Sequence, residues 1–202
     1  MRGIDDLIRE AMELKRKGLR SGEIADELNI SRETATWLLS RAEKKKAPAP
    51  KDIFINWSQI GRSSQRMSLI SSALSDMVLE SLPGANIEVV VGIVLSGIPF
   101  ATLVAEELGA DLAVLHPKKQ RWEPEKQNIK GTISHNFASI EGKKCIIVDD
   151  VVTTGATTQE AVELLEEHGA EPLAIAVVID KKGLDSIAGV PLLSLIKIGR
   201  VE

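Results

Sequence analysis

The stretch Cys145-Ile-Ile-Val-Asp-Asp-Val-Val-Thr-Thr-Gly-Ala-Thr-Thr158 decides how the larger part of this chain folds. Its apolar run ends in two carboxylates, which is typical of a buried strand in a parallel sheet. The Thr/Gly-rich turn leads into an amphipathic helix predicted from Thr158 to His168, with Gly169 placed to cap it. Strand, turn and helix in this order predict an α/β fold with a central parallel sheet.

The residue types of this turn indicate a site for a phosphorylated sugar. Small residues let backbone N–H groups close around a phosphate, and the following helix N-terminus adds its dipole. The two carboxylates at the strand end can accept hydrogen bonds from adjacent sugar hydroxyls. The alternative is a carboxylate pair that only caps the turn. The predicted phosphate and ribose site consists of Asp149, Asp150, Thr153, Thr154, Gly155, Ala156 and Thr157.

On either side of this stretch, runs rich in Val and Ile alternate with helical patterns. A helix is predicted from Phe100 to Leu108. The polar stretch from Pro117 to Lys144 is too long for an ordinary connection and is a candidate functional loop. The predicted strands are Glu88–Leu95, Leu112–Leu115, Cys145–Val148, Leu173–Ile179 and Leu192–Ile198.

A change in composition divides the chain near Lys44-Lys45-Lys46-Ala47-Pro48-Ala49-Pro50, because prolines alternating with alanine cannot continue a helix. We predict a helical module over residues 1–46, a linker over 47–52 and the α/β domain over 53–202. Residues 1–46 carry a net charge of +2, while the remainder carries −6. This asymmetry is compatible with nucleic-acid binding by the first module.

The first module shows three helical patterns, and its second and third resemble the helix-turn-helix of many transcription factors. Apolar residues from Ile4 to Leu14 lie on one helix face, and Gly18 ends that helix. Ser21 is predicted to be the N-cap of the second helix, and Ser31 that of the third. Asn29 between them tolerates the left-handed turn that the motif needs. Ala25, Ile30, Ala35 and Leu38 are the predicted inner positions.

The outer face of the third helix is then predicted to comprise Arg32, Glu33, Thr36, Trp37 and Ser40. In the usual docking of this motif, the N-terminal half of the helix enters the DNA major groove. Arg32 suits guanine, Glu33 a cytosine amino group, and Thr36 a phosphate or a thymine methyl, while Arg20 suits a backbone phosphate. The alternative is a three-helix module for protein interaction or oligomerisation.

The strand–turn–helix stretch resembles the phosphoribosyl pyrophosphate motif of the type I phosphoribosyltransferases. That family implies a fold with a central parallel sheet, the 5′-phosphate held by residues 153–157 and the ribose hydroxyls held by Asp149 and Asp150. Ser96 and Gly97 match its pyrophosphate loop. The pattern Asp180-Lys181-Lys182-Gly183 resembles a stretch of the orotate phosphoribosyltransferases. Those enzymes have a mobile basic loop, and its position corresponds here to Lys118, Lys119 and Arg121.

Other residues depart from the enzymes of that family. Gly61–Ser68 matches their base-binding region without its aromatic residues, and the chain has no tyrosine. The helical module, the Ala/Pro linker, Trp-Glu-Pro in the long loop and the Asp-Asp motif together resemble archaeal GfcR-type regulators. This resemblance implies a homodimeric regulator of sugar catabolism or nucleotide-related genes, which binds double-stranded DNA and senses a phosphorylated ribose-type effector.

Two other functions fit parts of the sequence. One is an orotate or purine phosphoribosyltransferase, in which Lys118, Lys119 and Arg121 with Mg²⁺ would neutralise the departing pyrophosphate. The other is an RNA-binding attenuator, which the helix-turn-helix disfavours because side chains cannot read the major groove of RNA. We expect Mg²⁺ only with phosphoribosyl pyrophosphate. The single Cys145 and the lack of a long apolar segment predict a cytoplasmic protein without a membrane segment.

Overall fold

The computed structural model describes residues 3–42, 49–117 and 131–199. The chain divides into two compact units, residues 1–57 and residues 58–202. Lys118, Lys119 and Arg121 of the predicted basic loop lie outside the described residues, as do Lys44 to Lys46.

The first unit contains three helices, α1 (Ile4–Arg16), α2 (Ser21–Glu27) and α3 (Arg32–Ala42). The predicted turn at Asn29 is confirmed by its positive φ of 52°. The predicted inner positions are buried, and Phe54 from the chain beyond the linker packs against the same core. The Ser31 hydroxyl caps α3, since it accepts a hydrogen bond from the Thr34 N–H at 3.1 Å.

Two sequence predictions about this unit are wrong. The N-cap of α2 is Arg20, whose N–H donates to the Glu23 carboxylate at 2.6 Å, so Ser21 is already helical. Trp37 is not on an outer face but is buried, with 8% of its surface exposed. The reason is that α1 and α2 both pack on α3, so two sides of that helix enter the core.

The second unit is built on a seven-stranded sheet in the order β3-β2-β1-β4-β5-β7-β6. The five inner strands are parallel, as predicted, while β3 and β6 pair antiparallel at the edges. The strands are β1 (Val89–Ile93), β2 (Asp111–His116), β3 (Thr132–Ile133), β4 (Lys144–Val152), β5 (Glu171–Asp180), β6 (Ser186–Ile187) and β7 (Val190–Lys197).

Helices cover both faces of this sheet. Helices α5 (Ser64–Ser81) and α6 (Gly97–Leu108) pack on one face, and α7 (Ala156–Glu167) packs on the other. A short helix, α4 (Ser58–Gly61), precedes them. Alternate residues of β1, β4 and β5 face the α7 side and form a continuous apolar core with it. No helix within the described residues has the length and hydropathy needed to cross a membrane.

The structure corrects several element limits. Strand β4 continues to Val152, so the two carboxylates lie within the strand rather than after it. Helix α7 begins at Ala156, two residues before the predicted start, while β1 ends at Ile93, before the predicted Leu95. Helix α5 was not predicted, because its serines interrupt the apolar stripe that a helix facing a sheet usually shows.

Candidate functional site

The predicted site residues meet at the point where the order of the sheet reverses. From β1 the chain proceeds to β2 on one side, whereas from β4 it proceeds to β5 on the other. Strands β1 and β4 are direct parallel neighbours, with Gly92 paired to Val148. Open α/β sheets bind ligands in the crevice outside the carboxyl ends of such strands. Ser96, Gly97 and the Asp149–Thr157 stretch all lie at this edge.

Two glycines allow α6 to approach the sheet closely at this crevice. A Cβ at residue 92 would lie 2.8 Å from the Cβ of Ala101 in α6. A Cβ at residue 97 would lie 2.7 Å from the backbone oxygen of Val148. Both distances are shorter than real contacts, so a side chain at either position would push α6 away from the sheet. The peptide bond between Val94 and Leu95, just before this turn, is cis.

The close approach of α6 joins the two predicted halves of the site by a hydrogen bond. The Ser96 hydroxyl donates to Asp150 Oδ1 at 2.8 Å, although the two residues are 54 positions apart. Asp149 Oδ1 accepts from the Asp150 N–H at 2.9 Å. The acid pair and the loop before α6 therefore form one connected arrangement.

Asp150 is the most unusual carboxyl group of this arrangement. It is 5% exposed, and its Oδ2 atom has no hydrogen-bond partner among the described residues. Burial raises the pKa of Asp150 above its ordinary value, an effect that the hydrogen bonds from Ser96 and the backbone partly offset. A buried carboxylate oxygen without a partner is costly, so it is suited to accept a hydrogen bond from a ligand hydroxyl.

The turn after β4 has the backbone geometry of an anion site. Gly155 adopts a left-handed φ of 83° and is the N-cap of the twelve-residue helix α7. The Ala156 N–H donates to Thr154 Oγ1 at 3.4 Å, while Thr153 and Thr157 are half-buried. A left-handed N-cap turns the backbone sharply, so that N–H groups of the first helical turn point toward the space above the strand end.

The rim of this turn includes residues that the sequence analysis did not assign. Asp180, fully buried at the end of β5, accepts hydrogen bonds from the N–H groups of Lys182 and Leu184. This shapes the turn after β5, which lies next to the turn from Thr153 to Thr157. A Cβ at Gly155 would lie 3.6 Å from Leu184 and 3.5 Å from Ile187. The Asp-Lys-Lys-Gly pattern pointed to this turn, but no sequence signal identified the two apolar side chains.

The three-helix unit carries the predicted nucleic-acid surface. Arg20, Arg32, Glu33 and Thr36 are exposed. The Arg32 guanidinium lies over Gly22 at the start of α2, with Nη2 3.2 Å from where a Cβ would stand. The surface therefore combines side chains from both helices of the predicted motif.

Comparison with known proteins finds a domain family for most of the second unit and relatives for the whole chain. Residues 56–185 match the family model described as phosphoribosyl transferase domain. The transcriptional regulator GfcR of Methanocella arvoryzae is 55% identical over 207 residues, which span the whole of both chains. Transcriptional regulator GfcR of Methanosphaera stadtmanae is 49% identical, over 96% of this chain and 98% of that one.

The chain belongs to the GfcR family of transcriptional regulators. Because the GfcR relatives match from end to end, the three-helix unit and the phosphoribosyl transferase domain occur together in that family.

Solved structures of phosphoribosyltransferases share the fold of the second unit. Adenine phosphoribosyltransferase from Rhodothermus marinus superposes with a TM-score of 0.57 at 24% identity, over 75% of this chain and 90% of that one. Orotate phosphoribosyltransferase from Aeropyrum pernix gives a TM-score of 0.54 at 21% identity, over 75% and 81%. The second unit thus has a type I phosphoribosyltransferase fold.

Proposed function

We propose that this protein is a DNA-binding transcriptional regulator whose phosphoribosyltransferase-type domain senses a phosphorylated ribose-type ligand. The observation that carries the proposal is the end-to-end identity of 55% to proteins named transcriptional regulators. The regulator is a cytoplasmic homodimer whose two three-helix units bind the two halves of a palindromic operator. Its targets are genes of sugar catabolism or of nucleotide-related metabolism.

In this proposal the ligand lies at the crevice between β1 and β4. Asp149 and Asp150 accept hydrogen bonds from the ribose hydroxyls, and the turn from Thr153 to Thr157 surrounds the phosphate. The orphaned Oδ2 atom of buried Asp150 supports this role, because a ligand hydroxyl would satisfy it. Ser96 and Gly97 would face a pyrophosphate if the ligand carries one.

Mg²⁺ belongs to the proposal only together with a pyrophosphate-bearing ligand, which would itself supply oxygen ligands. In the described ranges no group of three His, Cys, Asp or Glu side chains is gathered to hold a metal ion. The residues that would hold the ion are Asp149 and Asp150, whose carboxylates lie within β4, just before its end at Val152. A magnesium ion bound there would neutralise phosphate charge next to these carboxylates.

DNA is bound by α3. Arg32 and Glu33 are placed to contact base edges in the major groove, and Arg20 is placed to contact a backbone phosphate. The ligand would act by changing the relative freedom of the two DNA-binding units in the dimer, which requires that it bind one arrangement better than another.

The test measures binding of the full chain to promoter fragments of its own genome at fixed salt, with and without phosphoribosyl pyrophosphate and Mg²⁺. Selective binding that the ligand changes is expected. The double variant Asp149→Asn/Asp150→Asn should keep selective DNA binding and lose the ligand response. The control variant Asp111→Asn, at the opposite end of the parallel strands, should keep both. A folded double variant that loses DNA binding would contradict separate roles for the two units.

A second candidate is catalysis of phosphoribosyl transfer to orotate or a purine base. It is favoured by the intact arrangement of Asp149, Asp150 and the phosphate turn. Transfer would be displacement at the ribose anomeric carbon with loss of pyrophosphate. An assay of pyrophosphate release, with orotate and adenine as acceptors, tests it. Turnover without selective DNA binding would replace the regulator proposal with this one.

A further inference from the structure

The hydroxyl groups along α3 are engaged within the protein. The Thr36 hydroxyl donates to the backbone oxygen of Arg32 at 2.9 Å, one turn earlier in the same helix. The Ser40 hydroxyl donates to the backbone oxygen of Trp37 at 2.8 Å. Each hydroxyl has only one proton to donate. Neither side chain therefore has a proton left for a phosphate.

The hydroxyls at the start of α3 form a chain that ends on a carboxylate. Thr34 Oγ1 donates to Asp52 Oδ2 at 2.7 Å, so the proton between Ser31 Oγ and Thr34 Oγ1, 2.8 Å apart, comes from Ser31. Phosphate oxygens at neutral pH accept hydrogen bonds and do not donate them. The whole hydroxyl row of α3 is thus a poor set of phosphate ligands.

Two groups on the exposed side of α3 remain available to a partner. The Arg32 guanidinium makes no hydrogen bond or ion pair with any described residue and lies over Gly22. Thr36 is exposed, and because its hydroxyl proton is donated to the helix, it presents to a partner its methyl group and a hydroxyl oxygen that can only accept a hydrogen bond. A methyl group can contact only an apolar feature, and the thymine C5-methyl is the one the major groove offers.

Resting on the proposed DNA binding, we infer that Thr36 is a specificity-determining residue that reads a thymine through its methyl group. Arg32 lies one helical turn earlier on the same face, about 6 Å away. Base pairs are about 3.4 Å apart along the duplex. The thymine is therefore about two base pairs from the base that Arg32 contacts, in each half of the operator.

The experiment first enriches operator sequences from a random duplex library with the full-length chain. Each thymine of the enriched operator is then replaced singly by deoxyuridine, which removes only the C5-methyl. Affinities are compared for the wild type, Thr36→Val, which keeps the methyl, and Thr36→Ser, which keeps the hydroxyl. Thr102→Val and Thr102→Ser are matched controls, since exposed Thr102 in α6 makes the same hydrogen bond to the backbone oxygen of Ile98.

One thymine per half-site should be sensitive to deoxyuridine, with about a fourfold loss of affinity, as expected for one buried methyl group. Thr36→Val should retain both affinity and this sensitivity. Thr36→Ser should bind about fourfold more weakly per half-site and no longer distinguish the two bases. The Thr102 variants should bind like the wild type.

The opposite pattern, with Thr36→Ser unchanged and Thr36→Val weakened, would overturn the inference and indicate a contact through the hydroxyl. Equal losses in the Thr102 pair would also overturn it, since the effect would then be one of helix stability. A library from which no sequence is enriched would overturn the proposed sequence-specific DNA binding itself. Failure of the inference about Thr36 and failure of the proposed DNA binding therefore give different results.

Discussion

Asp52, the last residue of the predicted linker, is hydrogen-bonded to the start of α3, and its replacement tests how the first unit is held together. Its Oδ2 atom accepts hydrogen bonds from the Ser31 N–H at 2.6 Å and from the Thr34 hydroxyl at 2.7 Å. Asp52→Ala removes both while leaving the Ser31 cap of α3 in place. The change also removes the hydrogen bond that Asp52 Oδ1 accepts from the adjacent Ile53 N–H at 2.8 Å, so it weakens the end of the predicted linker as well as its contact with the turn before α3.

The expected loss of stability follows from the two bonds to Ser31 and Thr34. Hydrogen bonds to a charged group contribute about 1.5–3 kcal/mol each. Because Asp52 is half-buried, water can take the place of the missing carboxylate and recover part of this stabilisation. We expect the free energy of unfolding of the first unit to fall by about 2–3 kcal/mol. For a unit of this size that lowers the Tm by roughly 10–20 °C.

The assay is urea unfolding of the full chain, followed by the fluorescence of buried Trp37 in a Trp57→Phe/Trp122→Phe background. Asp52→Asn keeps one acceptor oxygen without the charge and should lose about half as much. The control Glu27→Ala removes an exposed carboxylate from α2 and should change little. An Asp52→Ala midpoint equal to that of the control would refute the reasoning, because residues 49–57 would then not stabilise the helices.

Three further predictions concern the second unit. Gly97→Ala should abolish the binding of phosphoribosyl pyrophosphate measured by calorimetry, because the alanine Cβ would lie 2.7 Å from a backbone oxygen. The control Gly199→Ala has open space around the new Cβ and should bind this ligand normally. Ser75→Ala should leave the unfolding midpoint unchanged or raised, because the buried Ser75 hydroxyl has no partner among the described residues; a loss above about 1 kcal/mol would contradict this. Burial raises the pKa of Cys145 to about 12, so the unfolded chain loses the thiol proton first. The free energy of unfolding should therefore fall as pH rises from about 9 to 12, and Cys145→Val should flatten that part of the profile.

The sequence predicts some residues of the candidate site, whereas other residues and contacts of the site depend on the tertiary structure. Asp149, Asp150 and the Thr/Gly turn were predicted as one site because they are contiguous and because strand, turn and helix follow each other directly. The assignment of Ser96 to the same site depended on a family resemblance. The hydrogen bond from Ser96 to Asp150 depends on how closely α6 packs on β4, which no local pattern encodes. Leu184 and Ile187 at the rim were not predicted for the same reason.

The first unit also combines features that the sequence predicts with features that only packing decides. The turn at Asn29 and the cap at Ser31 were predicted, since each depends on the conformational preferences of one or two residues. Trp37 was placed on the wrong side, because one helix periodicity cannot show that a second helix covers its neighbouring face. Helix α5 was not predicted, because its buried Ser71 and Ser75 look polar in sequence although they face the interior.

The sequence by itself determined the alternation of strands and helices, the Thr/Gly turn between β4 and α7 and the helical module, because these follow from periodicity, capping and turn preferences over short stretches. Only the tertiary structure decided which strands are neighbours, which glycines permit close approach, and which hydroxyls on α3 are already engaged. Those features depend on contacts such as Ser96 with Asp150 and Asp52 with Thr34, between residues far apart in the chain. Distant contacts form only when packing brings whole elements together, so their geometry is a property of the assembled fold.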